Sequence, residues 1–545
     1  MKTLFKNGNI HTMDDAVSKA DAFVVHGDRF VYVGSEKGAM DYLKQGNNDY
    51  NEVDLKGQLV LPGFNDSHMH FIHFAKSMKS VNLVGTKSIN DIKERLKIAL
   101  DERDPKDKSW LDGEGWNHDY FNDEKRFPNK FDLDEITGDV PTIILRACFH
   151  IGVLNTAAMK LIGLNKETAA KHGNLVETLP DGEPNGVIKE HMLDNVKSNI
   201  STLDLTTLKN IIRDAQYKCF AHGITSVQSD DIGYTQNNNY DMLFKSFKEL
   251  DQAGELHIRI AEQCLLQKTK EIQEFFDKGY IYGFGNEKYR VNCIKILADG
   301  SLGARTAALR KAYNDDPSTS GIMLFTQDEL NDLVLLAHNN DCPVAIHGIG
   351  DRAIEMALNS IEHAQKCSPG HHPRHGIVHC QVTDEELLNR FKELNVLALI
   401  QPIFIDYDMN IIRERVGSEL ASTSYAWKTM VDKGIHASFG TDCPVEAFDT
   451  MPNIYSAVSR NNITGENKKS YLPEEKMSML EAIKAYTIEG AYASGEEDVK
   501  GTICTGKLAD FILLDKDLFS LSSHEEILHT HVVETYVGGK LVYSL

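Results

Sequence analysis

The sequence predicts an α/β protein whose centre is a parallel sheet with crossover helices, accompanied by a small β domain that both chain ends supply. Three features predict it. Strand-like apolar runs alternate with helix-length amphipathic segments over residues 59–500. Both ends of the chain read as short strands around glycine turns. A stretch at about 71–201 interrupts the alternation and reads as an inserted subdomain.

At the N-terminal end, residues 23–34 hold two apolar runs around Gly27-Asp28, a hairpin signal. At the C-terminal end, residues 509–514 and 532–543 have the same character, the latter around Gly538-Gly539. Neither end can bury both faces of a sheet alone, so residues 1–58 and 501–545 are expected to pack together. Between them, 291–297, 342–346, 375–378, 396–400 and 435–439 read as strands, and 326–339 and 384–394 as helices. Eight such strand–helix units would close a barrel, and the pattern alone leaves a doubly wound open sheet as the alternative. A dinucleotide-binding sheet is disfavoured, because His347-Gly348-Ile349-Gly350-Asp351 is only a fragment of a glycine-rich loop.

Composition narrows the function. The 545 residues carry a formal charge of −22, which argues against nucleic acid and anionic membrane surfaces as partners. A small-molecule substrate is the expected partner, with a homodimer left open. The nine cysteines are scattered singly without a C-x-x-C, so reduced thiols are expected rather than a disulfide framework. No leader-like apolar stretch opens the sequence, and no run approaches the roughly 20 apolar residues of a membrane span. A cytoplasmic location is the expectation.

The chemistry starts at Leu61-Pro62-Gly63-Phe64-Asn65-Asp66-Ser67-His68-Met69-His70. On a strand, residues i and i+2 share a side, so His68 and His70 would aim two imidazoles at one point, which suits zinc. Alone the pair is a weak signal. His347 and His379 each end an apolar run, and Asp442 follows Ser438-Phe439-Gly440-Thr441. Any one of these could be an ordinary buried or capping residue, but five ligand-type residues at the ends of four strands are hard to explain that way. Lys295 lies inside the apolar run Cys293-Ile294-Lys295-Ile296-Leu297, where an unpaired ammonium is costly. It is either paired with an acid such as Asp299 or converted by carbon dioxide to a carbamate, a carboxylate-like ligand able to bridge two ions.

Together these features resemble the amidohydrolase superfamily, over nearly the whole chain. Residues 295–307, beginning Lys295-Ile296-Leu297-Ala298-Asp299-Gly300-Ser301, are similar to its family 3 branch, which includes N-substituted formamide deformylase-like proteins. So are His347-Gly348-Ile349-Gly350-Asp351-Arg352-Ala353, Gln401-Pro402, Thr441-Asp442-Cys443-Pro444-Val445 and Gly506-Lys507-Leu508-Ala509-Asp510-Phe511. The resemblance implies a distorted TIM (β/α)8 barrel beside a β-sandwich assembled from both termini. It implies one or two divalent ions, with zinc expected. His68, His70 and Asp442 would hold one ion, and His347 and His379 the other. Lys295, as N6-carboxylated lysine, would bridge them. Arg305, His150 and Trp116 are the substrate-contact candidates, with His118 and Gln228 behind them. The expected activity is hydrolysis of a non-peptide carbon–nitrogen bond by a hydroxide generated at the metal, with Asp442 as general base and then acid. The competing readings are an ester, lactone or cyclic-amide hydrolase or a deaminase on the same site, and a catalytically silent regulator on the same fold.

Overall fold

Eight strands succeed one another in the sequence and pair in the same order: β1 (Phe64–Met69), β2 (Ile224–Ser229), β3 (Arg259–Leu265), β4 (Tyr289–Leu297), β5 (Val344–Gly348), β6 (Gly376–His379), β7 (Leu397–Ile400) and β8 (Ala437–Phe439). Every pairing is parallel. The edges meet, because Asp442 N–H donates to the His68 carbonyl at 2.8 Å and His70 N–H to the Cys443 carbonyl at 2.8 Å. The sheet is therefore a barrel, and the open-sheet alternative is excluded. The computed structural model describes residues 1–45, 49–104, 109–147, 151–189, 192–193, 196, 203–235, 238–463 and 468–545. They divide into two units, one of Met1–Phe71, Gln216–Ile232 and Phe244–Leu545, the other of Ile72–Ala215 and Gly233–Leu243.

Burial explains the strand sequences. β4 reads YRVNCIKIL and is buried along nearly its whole length, as a parallel strand must be when helices cover one face and the barrel interior the other. Inside the barrel, Cys293, Ala345, Val378, Leu397 and Leu399 pack as one cluster. One step further along the strands stand Lys295, His347 and Gln401. The seam between β1 and β8 is tight. A Cβ on Gly440 would lie 2.6 Å from the His68 nitrogen and 2.8 Å from its oxygen, so the strands approach this closely only because residue 440 has no side chain. Gly440→Ala is expected to cost about 1–3 kcal/mol, read as a lower urea midpoint at an unchanged slope.

The crossover helices begin where the sequence predicts. Thr326 and Glu329 form a reciprocal capping box at the start of α1 (Gln327–Asn339). The next crossover helix is α2 (Asp351–Cys367), and Asp384 caps α3 (Glu385–Glu393). At the N-terminal end of the barrel these elements are joined by a histidine chain. The Val344 N–H donates to His375 Nδ1 at 3.1 Å, His375 Nε2 faces His338 Nδ1 at 2.9 Å, and His338 Nε2 faces the Ser368 carbonyl at 3.1 Å. An amide N–H only donates and a carbonyl only accepts, so both rings are neutral with fixed tautomers. Burial, assisted by His338, pushes His375 from 6.5 to about 3. The unfolded chain thus binds more protons between these values. Stability is fully present above 6.5 and is lost as the pH falls toward 3, by about 1.4 kcal/mol for each tenfold change in proton affinity. Denaturation midpoints measured across that window should fall with acid, and His375→Gln should flatten the decline.

The two chain ends form the expected β-sandwich. One sheet orders Arg29–Gly34, Ala22–His26, Lys2–Lys6 and Tyr50–Asp54. The other orders Lys540–Ser544, Val532–Val537, Phe511–Leu514, Leu59–Pro62, Asn9–His11 and Lys19–Ala20. Phe5, Phe23 and Phe30 from the first meet Ile10, Val60, Phe511 and Tyr536 from the second. The Phe511 and Tyr536 rings stack at 4.4 Å, and Phe5 meets Phe511 edge-on at 5.1 Å. Such pairs contribute about 0.5–1.5 kcal/mol each beyond their burial. Gly538 and Gly539, at φ 55° and 70°, turn the last hairpin through the left-handed conformations that a two-residue turn of this hand requires. Leu59–Pro62 pairs with Phe511–Leu514, so the passage into the barrel falls at Gly63, slightly beyond the junction expected after residue 58.

The second unit is built on a mixed six-stranded sheet in the order Val176–Thr178, Pro184–Lys189, Ile151–Leu154, Thr142–Arg146, Leu111–Trp116, Val81–Asn82. The eight described cysteines are unpaired thiols, six of them buried; Cys148 lies outside the described residues. No helix among the described residues is long and apolar enough to cross a membrane.

Candidate metal centre

Each of the eight strands delivers a polar residue to the C-terminal end of the barrel, where barrel enzymes place their chemistry. β1 supplies His68 and His70. Asp230 follows β2, Gln263 sits in β3, Lys295 in β4, His347 in β5 and His379 at the end of β6. Gln401 follows β7 and Asp442 lies just past β8. His379 and Asp442 have φ of 77° and 58°, conformations uncommon for residues with a side chain. On β6 the left-handed backbone at His379 has a clear effect. Val378 points into the interior cluster, yet the adjacent His379 still reaches His347, with His379 Nε2 and His347 Nδ1 3.0 Å apart.

Around the seam, His68 Nε2 and His70 Nε2 lie 3.3 and 3.2 Å from Asp442 Oδ1. The ligand atoms of these three residues all fall within 4.8 Å of one another. Lys295 is 1% exposed, with Nζ 3.1 Å from His68 Nε2, and it forms no ion pair among the described residues. Asp299, the acid that could have paired with it, instead accepts N–H bonds from Ala308, Ile349 and Gly350 at 2.8, 3.1 and 2.9 Å. Beneath the seam, buried Asp66 accepts from His68 N, Thr441 N and Thr441 Oγ1 at 3.1, 3.1 and 2.6 Å. It thereby ties β1 to the strand end that carries Asp442.

Electrostatics leaves most of this set in the form a metal needs, with neutral imidazoles and ionised carboxylates. Burial and Lys295 push His68 down to about 3, and the same causes push His347 down to about 4. Burial and His347 hold His379 well below its ordinary value. Burial works against an ionised Asp442, but the facing His68 and His70 rings outweigh it and hold the carboxyl well below its usual range. Burial likewise opposes charge on His70, but Asp442 prevails and raises it to about 9. The Lys295 ammonium is driven down by burial, against the attraction of Asp230 and Asp442.

The far nitrogen of each ring is already engaged. His70 Nδ1 faces the Asp230 carbonyl at 3.0 Å, and His347 Nε2 faces the Gly300 carbonyl at 3.1 Å. His68 Nδ1 and His379 Nδ1 face the amide oxygens of Gln263 and Gln401 at 2.7 and 2.8 Å. The remaining nitrogens converge on Asp442 Oδ1 or on each other. Two imidazole nitrogens 3.0 Å apart, each with its other side committed to an acceptor, require a cation or a proton between them. The donor set of His68, His70 and Asp442 therefore fits a divalent metal, and His347 and His379 face each other as a neighbouring pair. Lys295 lies beside the three-residue set. Gln263, Asp230 and Asp66 carried no recognisable signal in the sequence, and Gln401 appeared there only within a motif.

Comparison with known proteins matches residues 51–543 to the amidohydrolase family. The chain belongs to that family. The amidohydrolase-named protein YtcJ of Bacillus subtilis (strain 168) is 31% identical over 546 residues, covering 100% of both chains. The N-substituted formamide deformylase of Arthrobacter pascens is 24% identical, over 99% of this chain and 97% of its own. Among solved structures, a metal-dependent hydrolase from Pyrococcus horikoshii OT3 aligns with a TM-score of 0.80 at 28% identity, covering 96% of this chain and 99% of that one. Metal-dependent hydrolysis is the general activity of this amidohydrolase.

Arg305, at φ 57°, donates from Nε and Nη2 to Asp315 at 3.3 and 2.8 Å, and Asp315 also accepts from Arg415. That arrangement braces the loop after β4. Trp116 is fully buried in the second unit's core with Leu83, Phe121, Leu133 and Val187, a packing position, and His118 stacks edge-on against Phe127 at 4.6 Å. His150 lies outside the described residues. Gln228 bonds the Gly490 carbonyl and Asn292 at 2.8 and 3.1 Å, within the barrel interior.

Proposed function

We propose that this amidohydrolase cleaves the carbon–nitrogen bond of a small non-peptide amide, with Lys295 carboxylated and two divalent ions, zinc by preference, in the site. The observation that carries the proposal is Lys295 itself. It is buried, has no carboxylate partner among the described residues, and stands against His68. An ammonium in that position is costly, and carboxylation would turn the cost into a ligand.

A divalent ion bound here supplies Lewis-acid polarisation of a carbonyl and brings the pKa of a water toward about 7. The chain's own residues do the rest. Asp442, ionised and facing His68 and His70, takes a proton from the attacking water as the new carbon–oxygen bond forms. It returns that proton to the nitrogen as the carbon–nitrogen bond breaks, leaving a carboxylic acid and an amine. His68, His70, His347 and His379 hold the centre with their far nitrogens engaged. The resemblance to an N-substituted formamide deformylase supports N-formyl and N-acyl amides as the first substrates to try.

Purified protein supplied with zinc and bicarbonate should hold up to two ions per chain, gain the mass of one carbon dioxide on Lys295, and hydrolyse members of a panel of N-formyl, N-acyl and cyclic amides. Esters or lactones turned over in place of every amide would move the assignment to another bond. Metal-free, inactive protein under those conditions would remove it.

A further inference from the structure

Two glutamines on strands far apart in the sequence are built in the same way. Gln263 Nε2 donates to the Ser67 carbonyl at 3.0 Å while its Oε1 faces His68 Nδ1 at 2.7 Å. Gln401 Nε2 donates to the Leu399 carbonyl at 3.1 Å while its Oε1 faces His379 Nδ1 at 2.8 Å. All four side chains are buried. A backbone carbonyl can only accept, so in each case the amide NH₂ must point at the carbonyl and the amide oxygen at the ring. The orientation of the amide is fixed by the backbone, and the amide in turn fixes the ring.

We infer that Gln263 and Gln401 are positioning residues that lock His68 and His379 in the Nδ1–H tautomer, so that Nε2 of each presents its lone pair to the metal centre. Because the clamp is an amide, it orients the ring without adding another negative charge beside Asp230 and Asp442. The two clamps serve different ligand groups, Gln263 the one with His70 and Asp442 and Gln401 the one with His347. The inference rests on the metal-centre reading of the site, but the tautomers themselves belong to the metal-free chain.

Metal-free protein labelled with ¹⁵N-histidine should show Nδ1–H signals for His68 and His379, and Gln263→Leu and Gln401→Leu should each shift one of them toward Nε2–H. Zinc titrated against a chromophoric chelator should then bind about 10–100-fold more weakly to the group whose clamp is missing, with the other group unchanged. Glutamines that only fill space would lower the unfolding midpoint and leave both tautomers and both binding steps alone. That result, or Nε2–H tautomers in the wild type, overturns the inference even if a leucine variant fails to fold. Wild-type protein that binds no zinc would refute the metal reading instead, and the ¹⁵N spectrum would still decide the clamps.

Discussion

Asp442→Asn should retain bound zinc yet lose about 10²–10⁴-fold in kcat, the range expected when a proton-transfer group is removed. The amide keeps the shape and one oxygen toward His68 and His70, which lie 3.3 and 3.2 Å from Asp442 Oδ1, but it cannot accept the proton from water. The measurement is kcat alongside metal content, on the best substrate from the amide panel. Near-wild-type turnover in a metal-replete variant would take the general-base role away from Asp442. A variant stripped of metal would show that the residue acts mainly as a ligand, and Asp442→Glu would then be the informative comparison.

Lys295→Met should separate activity from stability. The side chain is buried, and its ammonium is opposed chiefly by desolvation. Replacing it with an apolar chain of similar length removes that penalty, so the metal-free variant is expected to unfold at a higher temperature than metal-free wild type. Turnover should fall by about 10²–10³-fold or more, the scale seen when a preorganised electrostatic group is lost from an active site. The bicarbonate-dependent mass increase should disappear with it. A variant that is active and also less stable would mean that Lys295 is an ordinary structural lysine.

Much of this fold and site is legible in the sequence, and the reasons differ by element. Strand ends were legible where an apolar run meets a single polar residue, as at His347 and His379, and Lys295 stood out as a charge inside an apolar run. Helix starts were legible because Thr326 with Glu329, and Asp384, cap through short-range contacts. The apolar run predicts that β5 starts at Cys342, because Cys342-Pro343 continues it, whereas the strand begins at Val344. Gln263 was invisible for a different reason. Its partner His68 lies 195 residues away, and a glutamine in a strand has no local signature. The Asp230 contact to His70 runs through its backbone carbonyl, which leaves no trace in residue type. Arg305 and Trp116, chemically suggestive in the sequence, are engaged in an ion pair with Asp315 and in apolar packing respectively.

The seam between β1 and β8 has a dynamic consequence. The amides of His70 and Asp442 are the hydrogen bonds that finish the cylinder, and their side chains belong to the ligand set. Fold closure and coordination thus share the same few atoms. Solvent exchange at these two amides should report metal occupancy directly, slow when the centre is filled and faster when a chelator empties it, while the interior amides of β4 and β5 exchange at one rate in both states.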